Sequence, residues 1–124
     1  MKPFFFSLLM LIASPAWAEW VEVTRGVNGN VIYIDPATIR KEGNRRKFWG
    51  ITDLSKVGTS GELSRKYRKE YDCKDERSRI LTITIYSQAM GDGDVKGTDN
   101  IVSEWQEIAP ETLDEAVLKR VCRN

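Results

Sequence analysis

The residue types that carry chemistry are few in this chain. It has two cysteines, Cys73 and Cys122, and no histidine. Without imidazole, the commonest general base and the commonest metal ligand are both missing. Carboxylates are plentiful, and a close pair of them could hydrolyse a glycoside. Here, however, most acids alternate with basic residues or fall in glycine-bearing turns. There is no glycine-rich phosphate loop and no serine nucleophile elbow. These residues predict a non-enzymatic protein that carries no cofactor.

The stretch "DGDVKGTD" spaces Asp92, Asp94 and Asp99 in a way that resembles oxygen ligands for calcium. Counted from Asp92, the fifth position of a calcium loop is Lys96, a cation where an oxygen is needed, and the twelfth is Ser103 instead of a bidentate glutamate. Gly91, Gly93 and Gly97 among the aspartates read more simply as a turn.

The cysteines depend on their compartment, which the N-terminus decides. Lys2 precedes the apolar run "FFFSLLMLIA" (Phe4 to Ala13), and "SPAWA" closes on the small residues Ala16 and Ala18. That order describes a secretory signal peptide, residues 1–18, with cleavage between Ala18 and Glu19. The run is about half the roughly 20 apolar residues that a membrane span requires. No cysteine follows the cleavage point, so the reading is an exported protein, periplasmic or secreted, without a lipid anchor. In an exported chain an even cysteine count predicts disulfides, and two cysteines permit only Cys73–Cys122. A zinc site would lack ligands.

The expected mature chain, residues 19–124, is one domain. Losing Lys2 leaves 18 basic against 18 acidic residues, hence no net charge. A neutral domain is a poor match for partners held by bulk electrostatics, and nucleic acid is excluded on that ground.

The elements that position the cysteines are strands followed by one helix. "WVEVTR" and "NVIYID" flank the turn "GVNG", "KFWGITDL" makes a third strand and "RILTITIYSQ" is dense in β-branched residues. "DPATIR", "KEGNRR" and "MGDGDVKGTDN" read as turns or loops, and Ile101 to Ile108 as the sixth strand. From Thr112 the period becomes helical: Leu113, Ala116, Val117 and Val121 share a stripe, with Leu118 and Cys122 at its edge. Thr112 and Glu115 fit a capping box. The predicted fold is mostly β, α+β in class, with about six antiparallel strands in one sheet and a C-terminal helix lying on one face.

"RKYRKEYDC" (Arg65 to Cys73) then reads as the remaining strand. Alternation puts Leu63, Tyr67, Tyr71 and Cys73 on one side, facing the helix that carries Cys122. Lys66, Arg68, Glu70 and Asp72 fall on the opposite, solvated side, so Lys66 and Arg68 form a candidate exposed binding face. Arg65 and Lys69 remain on the tyrosine side, with stems lying along apolar surface.

"YIDPATI", "EYDC", "RILTITIYSQAMGDG", Trp105 and "IAPETLDEAVLKRVC" together resemble the surface-adhesin protein E family of bacterial envelope proteins, from Trp20 to Cys122. The resemblance implies an antiparallel sheet with a helix tethered by a disulfide. It also implies a non-catalytic domain that binds protein partners such as extracellular-matrix or envelope proteins, with a homodimer among the forms known. A periplasmic structural or assembly factor with no adhesive role is the alternative.

Overall fold

The computed structural model describes residues 18–123. The expected signal peptide therefore lies outside the described residues except for Ala18, which is exposed together with Glu19. The strands are β1 (Val21–Arg25), β2 (Val31–Ile34), β3 (Arg40–Glu42), β4 (Arg45–Asp53), β5 (Ser64–Asp72), β6 (Arg77–Tyr86), β7 (Val95–Asp99) and β8 (Gln106–Glu107). The helix, α1, is Leu113–Val121. All pairings are antiparallel in one sheet of order β1-β2-β4-β5-β6-β7; β3 extends the ladder on β4 past β2, and β8 that on β6 past β7.

The fold class, the single sheet and the helix agree with the sequence reading; the strand count does not. Among the described residues eight strands are present where about six were expected, six of them forming the main path of the sheet. Arg40–Glu42, read as part of a polar turn, is β3, and only Gly43 and Asn44 turn. Val95–Asp99, read as loop, is β7. Ile101–Ile108, read as the sixth strand, supplies only Gln106–Glu107. The cause is tertiary: β6 is long enough to offer its outer edge to β7 at one end and β8 at the other, so weak formers such as Lys96 and Gly97 are held by its ladder. Ser103 instead anchors the chain before β8, exchanging hydrogen bonds with the Ile80 backbone through its N–H and its Oγ.

The helix covers the middle of one face. Val117, Leu118 and Val121 are buried against Ile34, Phe48 and Tyr71, and fully burying one such side chain is worth about 1.5–3 kcal/mol. Phe48 and Tyr71 pack at 5.3 Å between ring centroids, tilted by 54°. Gly50 is required beside them: a β-carbon there would stand 2.6 Å from the Tyr67 ring, which lies across the strand. Thr112 caps α1, accepting from the Glu115 N–H at 3.2 Å, while the Glu115 carboxylate accepts from the Glu111 N–H at 3.4 Å, one residue before the expected box partner.

Two tethers hold α1 down, one at each end. Cys73, immediately after β5, is bonded to Cys122, with their α-carbons 5.8 Å apart, within the range a disulfide permits. In the first turn, the Asp114 carboxylate accepts from the Tyr71 hydroxyl and, at 3.1 Å, from the Ser78 hydroxyl; Lys69 pairs with it at 3.7 Å. Lys69 also lies over the Tyr67 and Tyr71 rings, 4.9 and 5.9 Å from their centroids, so its stem follows apolar surface as the sequence predicted.

Candidate binding face

Register decides what the other face carries. β4 and β5 pair Arg45 with Asp72, Lys47 with Glu70, Trp49 with Arg68 and Ile51 with Lys66. Because Phe48 and Tyr71 point into the helix-side core, these neighbours project from the opposite face. From β6, Arg77, Arg79, Thr82 and Thr84 join them as partners of Asp72, Glu70, Arg68 and Lys66.

At one end the charges are internally neutralised. Glu70, 1% exposed, accepts from Arg79 Nε at 2.8 Å, with Arg79 Nη2 at 2.6 Å and Lys47 Nζ at 3.9 Å. Asp72, 6% exposed, accepts from the backbone N–H groups of Lys74 and Asp75 and pairs with Arg77 at 3.3 Å. Burial opposes ionisation of Asp72, but the N–H groups of Asp75 and Lys74 and the Arg77 guanidinium outweigh it, so its carboxyl lies below its ordinary value. Trp105 closes this end: the guanidinium carbons of Arg45, Arg77 and Arg79 stand 5.3, 4.6 and 4.4 Å from its ring centroid. Three cations around one indole form a cation–π cluster of the kind that adds about 0.5–2 kcal/mol per contact, according to solvation.

At the other end, Lys66 Nζ stands 6.0 Å from the Trp20 ring centroid and 5.5 Å from that of Trp49. Beyond it the single turn Ala89–Gly91 folds over Ile51 and Ser64: Ser64 Oγ donates to the Gln88 carbonyl and accepts from the Gly91 N–H. Between the two ends an open groove of about 430 Å³ is lined by Ala37, Thr38, Arg40, Trp49 and Arg68. Thr38 fixes its wall, donating to the Asp35 carbonyl at 2.7 Å and accepting from the Trp49 N–H at 2.9 Å. Asp35 in turn caps the turn Pro36–Thr38 through the Ala37 N–H.

Sequence alternation placed Lys66 and Arg68 on the face away from the helix, and both are there. Their expected full exposure is corrected: both are half-buried, because Lys66 lies against two indoles and Arg68 beside Trp49. Glu70 and Asp72 were expected on a solvated surface and are buried instead, since Trp105 and the cations of β4 and β6 cover them. Trp49 and Arg40 were not singled out in the sequence. Period-two alternation would have found Trp49, two residues from Ile51 and Lys47. Trp105 precedes β8 and has no strand parity to read. In the Asp92–Asp99 segment, Asp99 accepts from the Ile101 N–H. No cluster of three or more metal-ligating side chains occurs among the described residues.

Residues 20–123 match the family model for surface-adhesin protein E. The chain belongs to the surface-adhesin protein E family. Adhesins are a non-enzymatic kind of protein, found exported or at the cell surface, and no described helix is long and apolar enough to cross a membrane. Solved structures agree at the level of fold. Crystal form II of Haemophilus influenzae protein E matches with a TM-score of 0.67 at 16% identity, over 86% of this chain and 88% of that one. Its selenomethionine form matches at 0.64 and 15%, over 86% and 87%. No curated protein matches the sequence. The helix covers one face of the sheet, and the opposite face carries Trp49, Lys66 and Arg68.

Proposed function

We propose that this family member is an exported binding domain that grips a protein partner, from the extracellular matrix or the envelope, with the tryptophan-bearing face of its sheet. One observation carries the reading. Trp20, Trp49 and Trp105 are the tryptophans that follow the signal segment, and all three lie against cations away from α1. Tryptophan and arginine are the residues that dominate binding energy where proteins meet.

Export by cleavage after Ala18 is part of the proposal and would place the new N-terminus next to Trp20. The alternative, a periplasmic structural or assembly factor, would use the same face against an envelope protein. Both readings are tested by capturing partners on the purified exported protein from two sources, immobilised extracellular-matrix proteins and detergent-solubilised envelope extract. The adhesive reading predicts capture from the matrix set that Trp49→Ala weakens at least tenfold. Capture confined to the envelope extract supports the assembly role instead. Capture indifferent to Trp20→Ala and Trp49→Ala overturns the assignment of the face. Mass spectrometry of the same preparation should show a chain beginning at Glu19; a protein retaining Met1 contradicts the export step.

A further inference from the structure

Some of the cations on the open face already have carboxylate partners. Arg79 and Lys47 share Glu70, and Arg77 pairs with Asp72 and Asp75. Arg40, Arg45, Lys66 and Arg68 form no ion pair among the described residues, and of these Arg40 and Arg68 line the groove together with Trp49. Lys66 adds a third charge on the same indole, 5.5 Å from its centroid. Two unpaired guanidiniums thus stand with an indole in one concave site.

We infer that the Arg40–Arg68–Trp49 groove is an anchor site for a carboxylate side chain, presented by an acidic and apolar segment of a protein partner. This inference rests on the binding role proposed for the face. The guanidinium is planar and presents paired N–H donors that match a carboxylate in bidentate geometry. The indole offers a flat apolar wall for the methylenes of a glutamate or for a neighbouring apolar side chain. Charge number separates this occupant from a polysulfated glycan. A polyanion is held by a long run of cations, whereas here Lys47, Arg77 and Arg79 are spent on Glu70 and Asp72 and the expected mature chain is neutral. The groove has free charge for one or two anionic groups. It also accounts for the stretch Asp35–Arg40: the Asp35 cap and the Thr38 hydrogen bond to the Trp49 N–H hold the wall that brings Arg40 over β4.

The test is an NMR titration of the exported protein with a blocked hexapeptide of alternating glutamate and leucine, its glutamine counterpart, and a heparin-derived hexasaccharide. The glutamate peptide should shift the Trp49 indole N–H and the Arg40 and Arg68 Nε–H resonances and leave Trp105 unmoved. It should bind at least tenfold more tightly than the glutamine peptide, and Arg40→Gln with Arg68→Gln should abolish the difference. Both arginines lack ion pairs, so these variants should retain the parent melting temperature. Equal binding of the two peptides, shifts centred elsewhere, or tighter binding of the hexasaccharide at these same residues would overturn the inference. If the groove variants do nothing while Trp20→Ala and Trp49→Ala still abolish matrix capture, the anchor fails and the binding face stands. Loss of both would remove the face itself.

Discussion

The two faces of the sheet are built from the same strands, residue by alternate residue, yet they solve different problems. On the helix side, Ile34, Phe48, Tyr71, Val117, Leu118 and Val121 exclude water around apolar contacts, and a disulfide fixes the cover. On the open side no helix of the described residues covers Trp49, and burial is reached by pairing: carboxylates with guanidiniums, guanidiniums with indoles. The first arrangement draws its stability from area removed from water. The second draws little net stability from its ion pairs, because desolvation offsets much of the attraction. What it gains is a polar and aromatic surface of the kind the proposed binding role requires.

The comparison breaks most readily on the helix side. Cys73→Ser with Cys122→Ser releases a loop whose ends are 49 residues apart. On the chain-entropy model that loop is worth about 4 kcal/mol, and measured losses for such bonds run from about 2 to 5 kcal/mol. Hydrogen exchange should accelerate first in residues 112–122, while the β4–β5–β6 ladder stays protected. A uniform rise, or one led by β6, would show that α1 is not the tethered element.

The helix side was also the legible one. Strand alternation from Tyr67 to Cys73 and a helical stripe ending at Cys122 define each other, because the bond demands that they face. The resulting α-carbon distance, 5.8 Å, agrees. The open side was legible only as a parity: Lys66 and Arg68 could be placed there, but not what would lie over them. Trp105 arrives from an irregular segment, and Trp20 from ahead of β1, so no period announces either. β3 and β7 were illegible for a related reason, since Arg40–Glu42 and Val95–Asp99 are strands by virtue of the edges they join. The groove inherits that blindness, because Arg40 lies on β3.

A smaller loss is expected from Glu70→Gln. The Glu70 side chain is 2% exposed, and its partners Arg79 and Lys47 are 27% and 29% exposed. Removing the carboxylate charge leaves two cations that water still reaches, so the penalty falls below that of a fully buried pair, at about 2 kcal/mol. Urea unfolding measures it. A change under about 0.5 kcal/mol would mean that the open face is stabilised without this pair.

The faces should also fail at opposite ends of the pH scale. Burial pushes the Tyr67 phenol from 10.0 up to about 12 and raises Tyr71 well above its ordinary value, with the Asp114 charge adding to both. A raised folded-state pKa gives stability that is complete below pH 10 and is lost as pH climbs through the folded value, so the helix side weakens above pH 10. Asp72 is depressed from 3.8, so its contribution is present above that pH and is lost as pH falls below it. Denaturant midpoints across the range should therefore drop at both extremes. Tyr71→Phe should flatten the alkaline limb and Asp72→Asn the acid one. Exchange of these two effects would reverse the assignment of the faces.

The most direct measurement puts one variant from each face through the same pair of assays, melting temperature and affinity for the glutamate–leucine hexapeptide at a temperature where both proteins are folded. Arg40→Gln with Arg68→Gln should hold the melting temperature, as unpaired surface charges change stability by no more than about 0.5 kcal/mol, and should lose at least tenfold in affinity. Cys73→Ser with Cys122→Ser should melt markedly lower and bind the peptide as the parent does. A folded cysteine variant that has lost the peptide, or an arginine variant that has lost its melting temperature and kept its affinity, would contradict the division of one sheet into a face that holds and a face that binds.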